Sequence, residues 1–256
     1  MAAPDLADFL EVMQRRGYLL AELRNGEMTK PELEGALDVS RSTIDRGVRE
    51  LESEMLIERG ENGYRQTLAG KLALREYAAF TRRIAGLYRG TNLLTSMSRD
   101  APFDLAMLKG ARIVASERSY PHRPVETLYD RIASATTVRE FTPAVHPQQV
   151  ATYADLADDG AEVELVLTET VVERLLSSYA DEFEGAMANG GLTVMQASGD
   201  FQYGLTVART DDGPLAAVMV YTDAGVRGCI VNDDEAAVEW ARSRYEVERE
   251  RATPLG

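Results

Sequence analysis

The sequence predicts an α/β protein in three parts. Residues 1–67 carry the signals of a winged helix-turn-helix, residues 68–100 those of a long connecting helix, and residues 101–256 those of a mixed α/β, sensor-like domain. Two observations predict this division. Two short capped amphipathic helices are followed by a hairpin signal, and later in the chain apolar runs alternate with helical stretches.

The helix-turn-helix begins with a capping box, in which the side chains of Thr29 and Glu32 can each accept the other residue's backbone N–H. Pro31 suits the first helical turn, where its missing N–H costs nothing. Asp38–Ser40 is the predicted turn, because Ser40 can cap a second helix. The apolar stripe of that second helix, predicted to face a core, consists of Ile44, Val48, Leu51 and Met55.

The other face of the second helix carries side chains that suit DNA recognition. A projection at 100° per residue turns Ser42, Arg46 and Arg49 away from the apolar stripe. Arginine can bind guanine or phosphate, and serine or threonine can bond to either. In modules of this order the second helix usually enters the major groove of double-stranded DNA. The predicted DNA contacts are Arg41, Ser42, Thr43, Arg46, Arg49, Arg59, Asn62 and Arg65.

The wing is predicted as two strands, Leu56–Arg59 and Tyr64–Thr67, with Asn62-Gly63 at the tip. Asn-Gly favours a type I′ turn, in which both central residues have positive φ. Arg59 and Arg65 are placed for phosphate contact. A helix over residues 5–24 completes a three-helix core. Its predicted core residues are Leu6, Phe9, Leu10, Met13, Leu19, Leu20 and Leu23.

Apolar residues recur in alternating steps of four and three along the connecting helix, from Leu68 to about Ser98. This heptad seam predicts a homodimer, which would present two recognition helices to a two-fold DNA site. Packing of the helix against its own chain is the alternative. The predicted dimer contacts are Tyr77, Phe80, Ile84, Leu87 and Leu94.

The third part begins with a β-α-β-α-β order, which predicts a parallel sheet covered by helices. A helical stretch over Glu169 to Asn189 follows, and later apolar runs joined by short turns predict antiparallel hairpins. A last helix is expected from Glu235 to about Arg251. The predicted strands are Ala111–Ala115, Thr137–Phe141, Glu162–Thr168, Leu192–Ala197, Tyr203–Ala208, Leu215–Thr222 and Val226–Asn232.

A ligand site is expected beyond the carboxyl ends of the parallel strands. The loop after the first strand leads into a helix at Pro124, whose free N–H groups favour an anion. The alternative is that Arg118 and Arg123 are ordinary surface or ion-paired groups. Thr142 and Thr168 end the next two strands and should lie at the same sheet edge. The predicted contacts of a small anionic effector are Ser116, Arg118, Tyr120, His122, Arg123, Thr142 and Thr168.

The charge of the chain is unusual for a nucleic-acid binder. The formal net charge is −14, whereas DNA-binding domains are typically basic. Of the 28 Lys and Arg residues, only Lys30, Lys71 and Lys109 are lysines. Abundant acidic residues with arginine in place of lysine fit a halophilic protein, and a genomic base composition that favours arginine codons is the alternative explanation of the arginine excess. In molar salt the Debye length falls to roughly 3 Å, so arginine contacts at short range matter more than net charge.

Enzyme chemistry, metal binding and cofactors are not expected. The two histidines, His122 and His146, and the single Cys229 do not form a zinc pattern. The motifs of phosphate-binding loops, of dinucleotide binding and of serine hydrolases are absent. The chain has no apolar run of 18 residues and no signal-peptide pattern. We therefore expect a cytoplasmic protein without membrane contact.

Several stretches resemble the archaeal FilR-type regulators, which were first associated with methanogenesis and are common in haloarchaea. The resemblance covers the chain from about residue 6 to residue 252 and implies a transcription regulator with an effector-sensing second domain. Where family members have Pro-Phe-Gly-Leu, this chain has Gln202–Leu205. The stretches that carry it are Leu108–Ala111, Arg123–Glu126, Val138–Pro143, Glu164–Thr168, Tyr203–Leu205, Val231–Asp234 and Ala237–Ala241.

The function expected from the sequence is that of a homodimeric, DNA-binding transcription regulator. Its α/β domain would sense a small effector and change the spacing of the two winged helices. One alternative is an acidic winged-helix interaction module that binds a protein partner and does not bind DNA directly. Another is an enzyme in the α/β domain, which would need a reactive constellation that the sequence does not contain.

Overall fold

A computed structural model of the chain describes residues 5–178 and 191–255. The chain divides into an N-terminal unit, Met1–Arg82, and a C-terminal unit, Arg83–Gly256. The helices of the N-terminal unit are α1 (Leu6–Glu22), α2 (Lys30–Leu37) and α3 (Arg41–Ser53), and its strands are β1 (Ile57–Arg59) and β2 (Tyr64–Gln66). Helix α4 (Leu68–Leu94) begins in this unit and ends in the next.

The helix starts in the N-terminal unit follow the predicted caps. The backbone N–H of Thr29 donates to Glu32 Oε2 at 2.7 Å, and the Glu32 N–H donates to Thr29 Oγ1 at 3.4 Å. Ser40 Oγ accepts from the Thr43 N–H at 3.3 Å and so caps α3. Between the two helices Asp38 adopts a left-handed conformation with φ of 50°. Both caps and the three-residue turn are confirmed.

The core of the N-terminal unit is smaller than the predicted stripes. Ile44, Val48 and Leu51 are buried, but Met55 is 65 % exposed. The prediction for Met55 is wrong because α3 ends at Ser53 and Met55 turns into the left-handed region with φ of 57°. Leu6 and Leu10 of α1 are also exposed, because the buried residues of this helix begin at Met13. The other members of this core are Met13, Leu19, Leu20, Leu23, Leu33, Leu56 and Ile57.

The hairpin loop differs from the predicted type I′ turn. Arg59 pairs with Tyr64, so the loop has the four residues from Gly60 to Gly63, and the Gly60 N–H donates to the Gly63 carbonyl at 2.8 Å. Gly63 has positive φ but Asn62 does not. The backbone N–H of Asn62 donates instead to Glu27 Oε2 at 2.8 Å. A side chain from outside the hairpin therefore selects the longer loop.

The C-terminal unit is built on one sheet, which has eight strands within the described residues. Its order is β10-β6-β5-β4-β7-β8-β9-β3. The strands are β3 (Arg112–Ala115), β4 (Thr137–Thr142), β5 (Glu162–Leu167), β6 (Leu192–Gln196), β7 (Gly204–Thr210), β8 (Gly213–Thr222), β9 (Gly225–Asn232) and β10 (Thr253–Pro254).

The sheet is mixed, and its first strand is not where the β-α-β-α-β order places it. Strands β4 and β5 are parallel neighbours as predicted, and β7, β8 and β9 form antiparallel pairs. Strand β6, which was grouped with the antiparallel hairpins, instead pairs in parallel with β5. Strand β3 pairs antiparallel with β9 at the far edge. The expectation that β3 adjoins β4 is wrong, because β7, β8 and β9 lie between them. The long-range pairing of β3 with β9 has no local sequence signal.

Helices cover both faces of this sheet and bury two separate cores. One core lies on the face of Val138, Val163 and Ala217, and the other on the face of Phe141, Val166 and Val218. The helices of this unit are α5 (Arg123–Ile132), α6 (Pro147–Asp158), α7 (Glu169–Ser178) and α8 (Glu235–Arg249). The predicted continuation of α7 to Asn189 lies outside the described residues. Within the described part of the chain, the helices are too short or too polar to cross a membrane.

Candidate functional site

The solvent-facing side of α3 is polar and cationic. Arg41, Ser42, Arg46 and Arg49 are exposed, while Ile44 and Val48 on the other side are fully buried. Thr43 is half-buried, and its hydroxyl lies 2.9 Å from Ser40 Oγ. Ser42 Oγ is also 2.9 Å from Ser40 Oγ. The helix thus presents guanidinium groups, with Ser42 and Thr43 tied to its capping residue.

Two carboxylates of α3 form ion pairs with cations of neighbouring elements. Lys30 Nζ lies 2.7 Å from Asp45 Oδ1, and this hydrogen bond holds the pKa of Asp45 below its usual value. Arg16 Nε lies 2.6 Å from Glu50 Oε2 and lowers the pKa of Glu50 in the same way. Arg49 Nε donates to the Asp45 carbonyl at 3.1 Å. Two carboxylates of α3, Asp45 and Glu50, are therefore paired with cations from neighbouring elements.

The arginines of α3 and of the hairpin differ in whether their side chains already form ion pairs. Among the residues that the structure describes, the side chains of Arg41, Arg46 and Arg59 have no hydrogen bond or ion pair. Arg65, in contrast, pairs with Glu58 at 2.8 Å and with Glu27 at 3.5 Å. Arg65 would have to leave these partners to contact a phosphate, whereas Arg41, Arg46 and Arg59 would not.

The loop between β3 and α5 is exposed, and several of its side chains bond to each other. Arg123 Nη1 donates to Glu117 Oε1 at 2.9 Å, and the Tyr120 hydroxyl donates to Glu126. Ser116 Oγ donates to the Pro121 carbonyl at 3.2 Å. The side chains of Arg118 and His122 are exposed. Of the charged groups predicted to bind an effector, Arg123 is thus ion-paired, as the alternative interpretation expected.

Thr142 and Thr168 lie together at the end of β4 and β5, where Thr142 pairs with Leu167. Both threonines are at least 95 % buried. Thr142 Oγ1 donates to the Ala144 carbonyl at 2.8 Å and lies 3.3 Å from the Tyr221 hydroxyl. Strand β3 is four strand positions away from β4, or about 19 Å at the usual strand spacing. The sheet therefore brings the two threonines together but separates them from the end of β3.

A buried carboxyl group in β4 escaped prediction. Glu140 is 4 % exposed; it accepts from Gln149 Nε2 at 2.7 Å, from Thr206 Oγ1 at 2.8 Å and from the Tyr153 hydroxyl. Burial raises its pKa to about 7, although the three hydrogen bonds act in the opposite direction. Strand alternation could have predicted its burial, because residues two positions apart in a strand share a face and Val138 is buried.

The two histidines occupy the same part of this unit. The His146 ring is stacked on Tyr221 with 6.5 Å between ring centroids. Burial lowers the pKa of His146, and His122 contributes to the same shift by charge repulsion. No group of three or more His, Cys, Asp or Glu residues suited to a metal ion occurs in residues 5–178 and 191–255.

Comparisons with solved structures give weak likenesses. The archaeal chromatin protein TrmBL2 aligns over 98 % of this chain and 100 % of its own, with 13 % identity and a TM-score of 0.44. Nuc, a phospholipase D family member from Salmonella typhimurium, aligns over 57 % of this chain and 97 % of its own, with 13 % identity and a TM-score of 0.42. With both TM-scores below 0.5, neither likeness supports a functional inference.

Comparisons of sequence are more informative. The methanogenesis regulatory protein FilR1 of Methanothrix harundinacea (strain 6Ac) is 23 % identical over 250 residues, which cover 93 % of this chain and 55 % of the relative. The chain thus spans about half the length of this relative. Residues 4–86 match the model of the HVO_A0261 N-terminal domain, and residues 121–251 match that of the FilR1 middle domain. Because the second match covers just over half of the chain, the resemblance noted in the sequence is confirmed, and the chain belongs to the family of the methanogenesis regulatory protein FilR1.

Proposed function

We propose that the chain is a transcription regulator that binds double-stranded DNA through a winged helix-turn-helix formed by α2, α3 and the β1-β2 hairpin. The observation that carries this proposal is the exposed face of α3, on which Arg41 and Arg46 project without a hydrogen bond or ion pair among the described residues and interact with Asp45 and Glu50 only through longer-range charge attraction. Membership of a family named for a regulatory protein supports the same function. The groove-facing residues are those predicted from the sequence, with Arg59 and Asn62 at the wing.

The acidic net charge is compatible with this function if the free arginines act at contact range. Repulsion between the chain and DNA is long-ranged and is screened by salt, whereas a bidentate arginine contact is short-ranged. Lys30 and Arg16 also pair with Asp45 and Glu50, which lie on α3. We therefore expect DNA binding to persist at salt concentrations that weaken typical basic DNA-binding domains.

Replacing Arg46 and Arg49 together with alanine should weaken DNA binding by about 10- to 100-fold for each contact that is lost, since such contacts contribute about 1–3 kcal/mol. Binding would be measured by fluorescence anisotropy, on DNA fragments recovered by genome-wide mapping in the source organism. A matched control replaces Arg99 and Arg242, which are exposed in surface ion pairs. Equal affinity of the two double variants would contradict the groove model.

The rival function is that of a protein-interaction module. It is favoured if the wild-type chain binds none of the mapped fragments at any potassium chloride concentration from about 0.1 to 3 M, a range over which screening of exposed charges changes strongly. In that case the same exposed face of α3 would be the first surface to test for a protein partner.

The proposal includes a homodimer formed through α4. Three residues of the predicted heptad seam are exposed: Phe80 at 52 %, Ile84 at 47 % and Leu87 at 36 %. The two ends of the predicted seam are used within the chain, because Tyr77 packs on the N-terminal core and Leu94 on a C-terminal core. The central three residues form the contact that we assign to the dimer.

Replacing Phe80 and Ile84 with glutamate should convert a dimer into a monomer of 28.2 kDa, because four carboxylates would meet in an apolar seam. Light scattering after size-exclusion chromatography measures the mass directly. The control is Arg89→Glu, which lies about 180° from Phe80 around the helix. A wild-type mass of one chain, or a double variant that stays dimeric, would remove α4 as the dimer contact.

The C-terminal unit is proposed to sense a small anionic effector at the loop before α5. Arg118 and His122 are the exposed groups that could meet it directly, and Ser116, Tyr120 and Arg123 would do so after exchanging their present partners. Thr142 and Thr168, which the sequence also assigned to this site, are not part of the proposed contact, because they are buried and three strands lie between β4 and β3. An effector changes DNA binding only if its affinity differs between two states of the regulator.

A further inference from the structure

A second cationic surface in the N-terminal unit shares no residue with the proposed DNA contacts. It is a groove of about 510 Å³, here called the basic groove. The turn after α1 contributes Arg24, β2 contributes Gln66, and α4 contributes Lys71, Arg75 and Arg82 together with two apolar residues. Cationic side chains therefore reach the groove from two separate elements of the fold.

The basic groove has the opposite charge to the chain as a whole. Four cationic residues line it and no carboxylate does, in a protein with a net charge of −14. In the described part of the chain, the side chains of Arg24, Lys71 and Arg82 have no hydrogen bond or ion pair. Arg75 pairs only with its neighbour Glu76, and both side chains are exposed, so that pair is weak. Such a concavity focuses a positive field on an incoming anion.

The spacing of the cations favours a ligand with several anionic groups. Lys71, Arg75 and Arg82 lie on one face of α4, about 6 Å and 10.5 Å apart along the helix axis. A single phosphate could contact two neighbouring cations of this row but not all three. The volume of the groove lies within the range of small-molecule sites, roughly 300–1,000 Å³. These dimensions fit a nucleotide-sized molecule better than a monovalent anion.

We propose that the basic groove binds a nucleotide-sized ligand that carries two or more phosphate groups. Arg24, in the turn after α1, and Lys71, on α4, bind one phosphate group from two sides. Arg75 and Arg82 bind further phosphate groups along α4. This site is distinct from the effector loop proposed in the C-terminal unit, and ligand binding to it does not require DNA. Charged hydrogen bonds to phosphate supply the affinity.

Isothermal titration of the full chain with sodium tripolyphosphate in 0.1 M potassium chloride tests the proposal. We expect saturable binding at one site per chain, tighter than that of inorganic orthophosphate. Arg24→Gln combined with Lys71→Gln should weaken it about tenfold for each cation removed. The control, Arg83→Gln with Arg89→Gln, removes the same charge from exposed positions of α4 outside the groove. It should bind like the wild type.

Three results would overturn the proposal. The first is no saturable binding of tripolyphosphate by the wild type. The second is equal weakening in the groove variant and the control, which would indicate attraction to net charge alone. The third is competition between tripolyphosphate and a 20-base-pair duplex, with both weakened equally in the groove variant, which would make the groove a contact for the DNA backbone. Failure of the α3 proposal would leave the titration result unchanged, so the two hypotheses are tested separately.

Discussion

Replacing Asn232 with alanine is expected to lower the free energy of unfolding by about 2–4 kcal/mol, because it removes the hydrogen-bond partner of one buried and several partly buried backbone groups at once. Asn232 is 4 % exposed at the end of β9. Its Nδ2 lies 3.1, 3.2 and 2.9 Å from the carbonyl oxygens of Ala106, Met107 and Lys109, so its two N–H groups serve three acceptors and one hydrogen bond is shared between two carbonyls. Its Oδ1 accepts from the Asp234 N–H at 2.9 Å. The bond to the Met107 carbonyl is fully buried, whereas those to Ala106, Lys109 and Asp234 are partly buried.

The measurement is urea unfolding followed by circular dichroism, in which the midpoint should fall while the slope stays constant. Asn232→Asp separates the two roles of the side chain, because it keeps the oxygen that accepts from the Asp234 N–H but replaces the Nδ2 donor with a second oxygen. The control is Asn92→Ala on the exposed face of α4, where little change is expected. A loss below about 1 kcal/mol for Asn232→Ala would mean that the carbonyls find other donors.

The second large effect is a dependence of stability on pH through Glu140. Burial raises the pKa of Glu140 from 4.5 to about 7, so the folded chain holds a proton that the unfolded chain releases. The resulting stability is fully present below pH 4.5 and is lost as the pH rises to about 7. At 1.36 kcal/mol per pH unit the loss amounts to about 3 kcal/mol.

The variant Glu140→Gln isolates this contribution, because glutamine has the same shape and does not titrate. All other titrating groups are common to both proteins and cancel in the difference. Between pH 5 and pH 8 the variant should gain about 2–3 kcal/mol relative to the wild type. Parallel stability curves over this range would show that Glu140 folds as a carboxylate, held by Gln149, Tyr153 and Thr206.

Local rules predicted the local features of the N-terminal unit. The caps at Thr29 and Ser40 depend on residues three positions apart, so they can be read directly from the sequence. The predictions for Met55 and Asn62 were wrong for different reasons. Helix α3 ends at Ser53, before Met55, whereas Glu27 binds the Asn62 N–H from outside the hairpin. Short-range propensity contains no information about such a partner.

The C-terminal unit shows the same limit on a larger scale. The apolar runs located its strands closely, but the pairing of β3 with β9 joins residues more than one hundred positions apart. Glu140 was missed because its buried partners come from α6 and β7. Two stretches that carry the family resemblance, Leu108–Ala111 and Val231–Asp234, meet through Asn232 and through the Lys109–Asp234 ion pair at 2.8 Å. Their spatial relation became visible only in the fold.

The edge position of β3 has a consequence for how the protein is made. On the ribosome, chain growth of about 5–20 residues per second completes β3 several seconds before β9, the strand it pairs with in the described sheet, has been synthesised. Until then β3 has no strand to pair with. Its unpaired backbone N–H and C=O groups can form hydrogen bonds with strands of other chains. The helical N-terminal unit has by then emerged with all its own partners. Biogenesis should therefore be most vulnerable to aggregation in the interval before residue 232 leaves the exit tunnel.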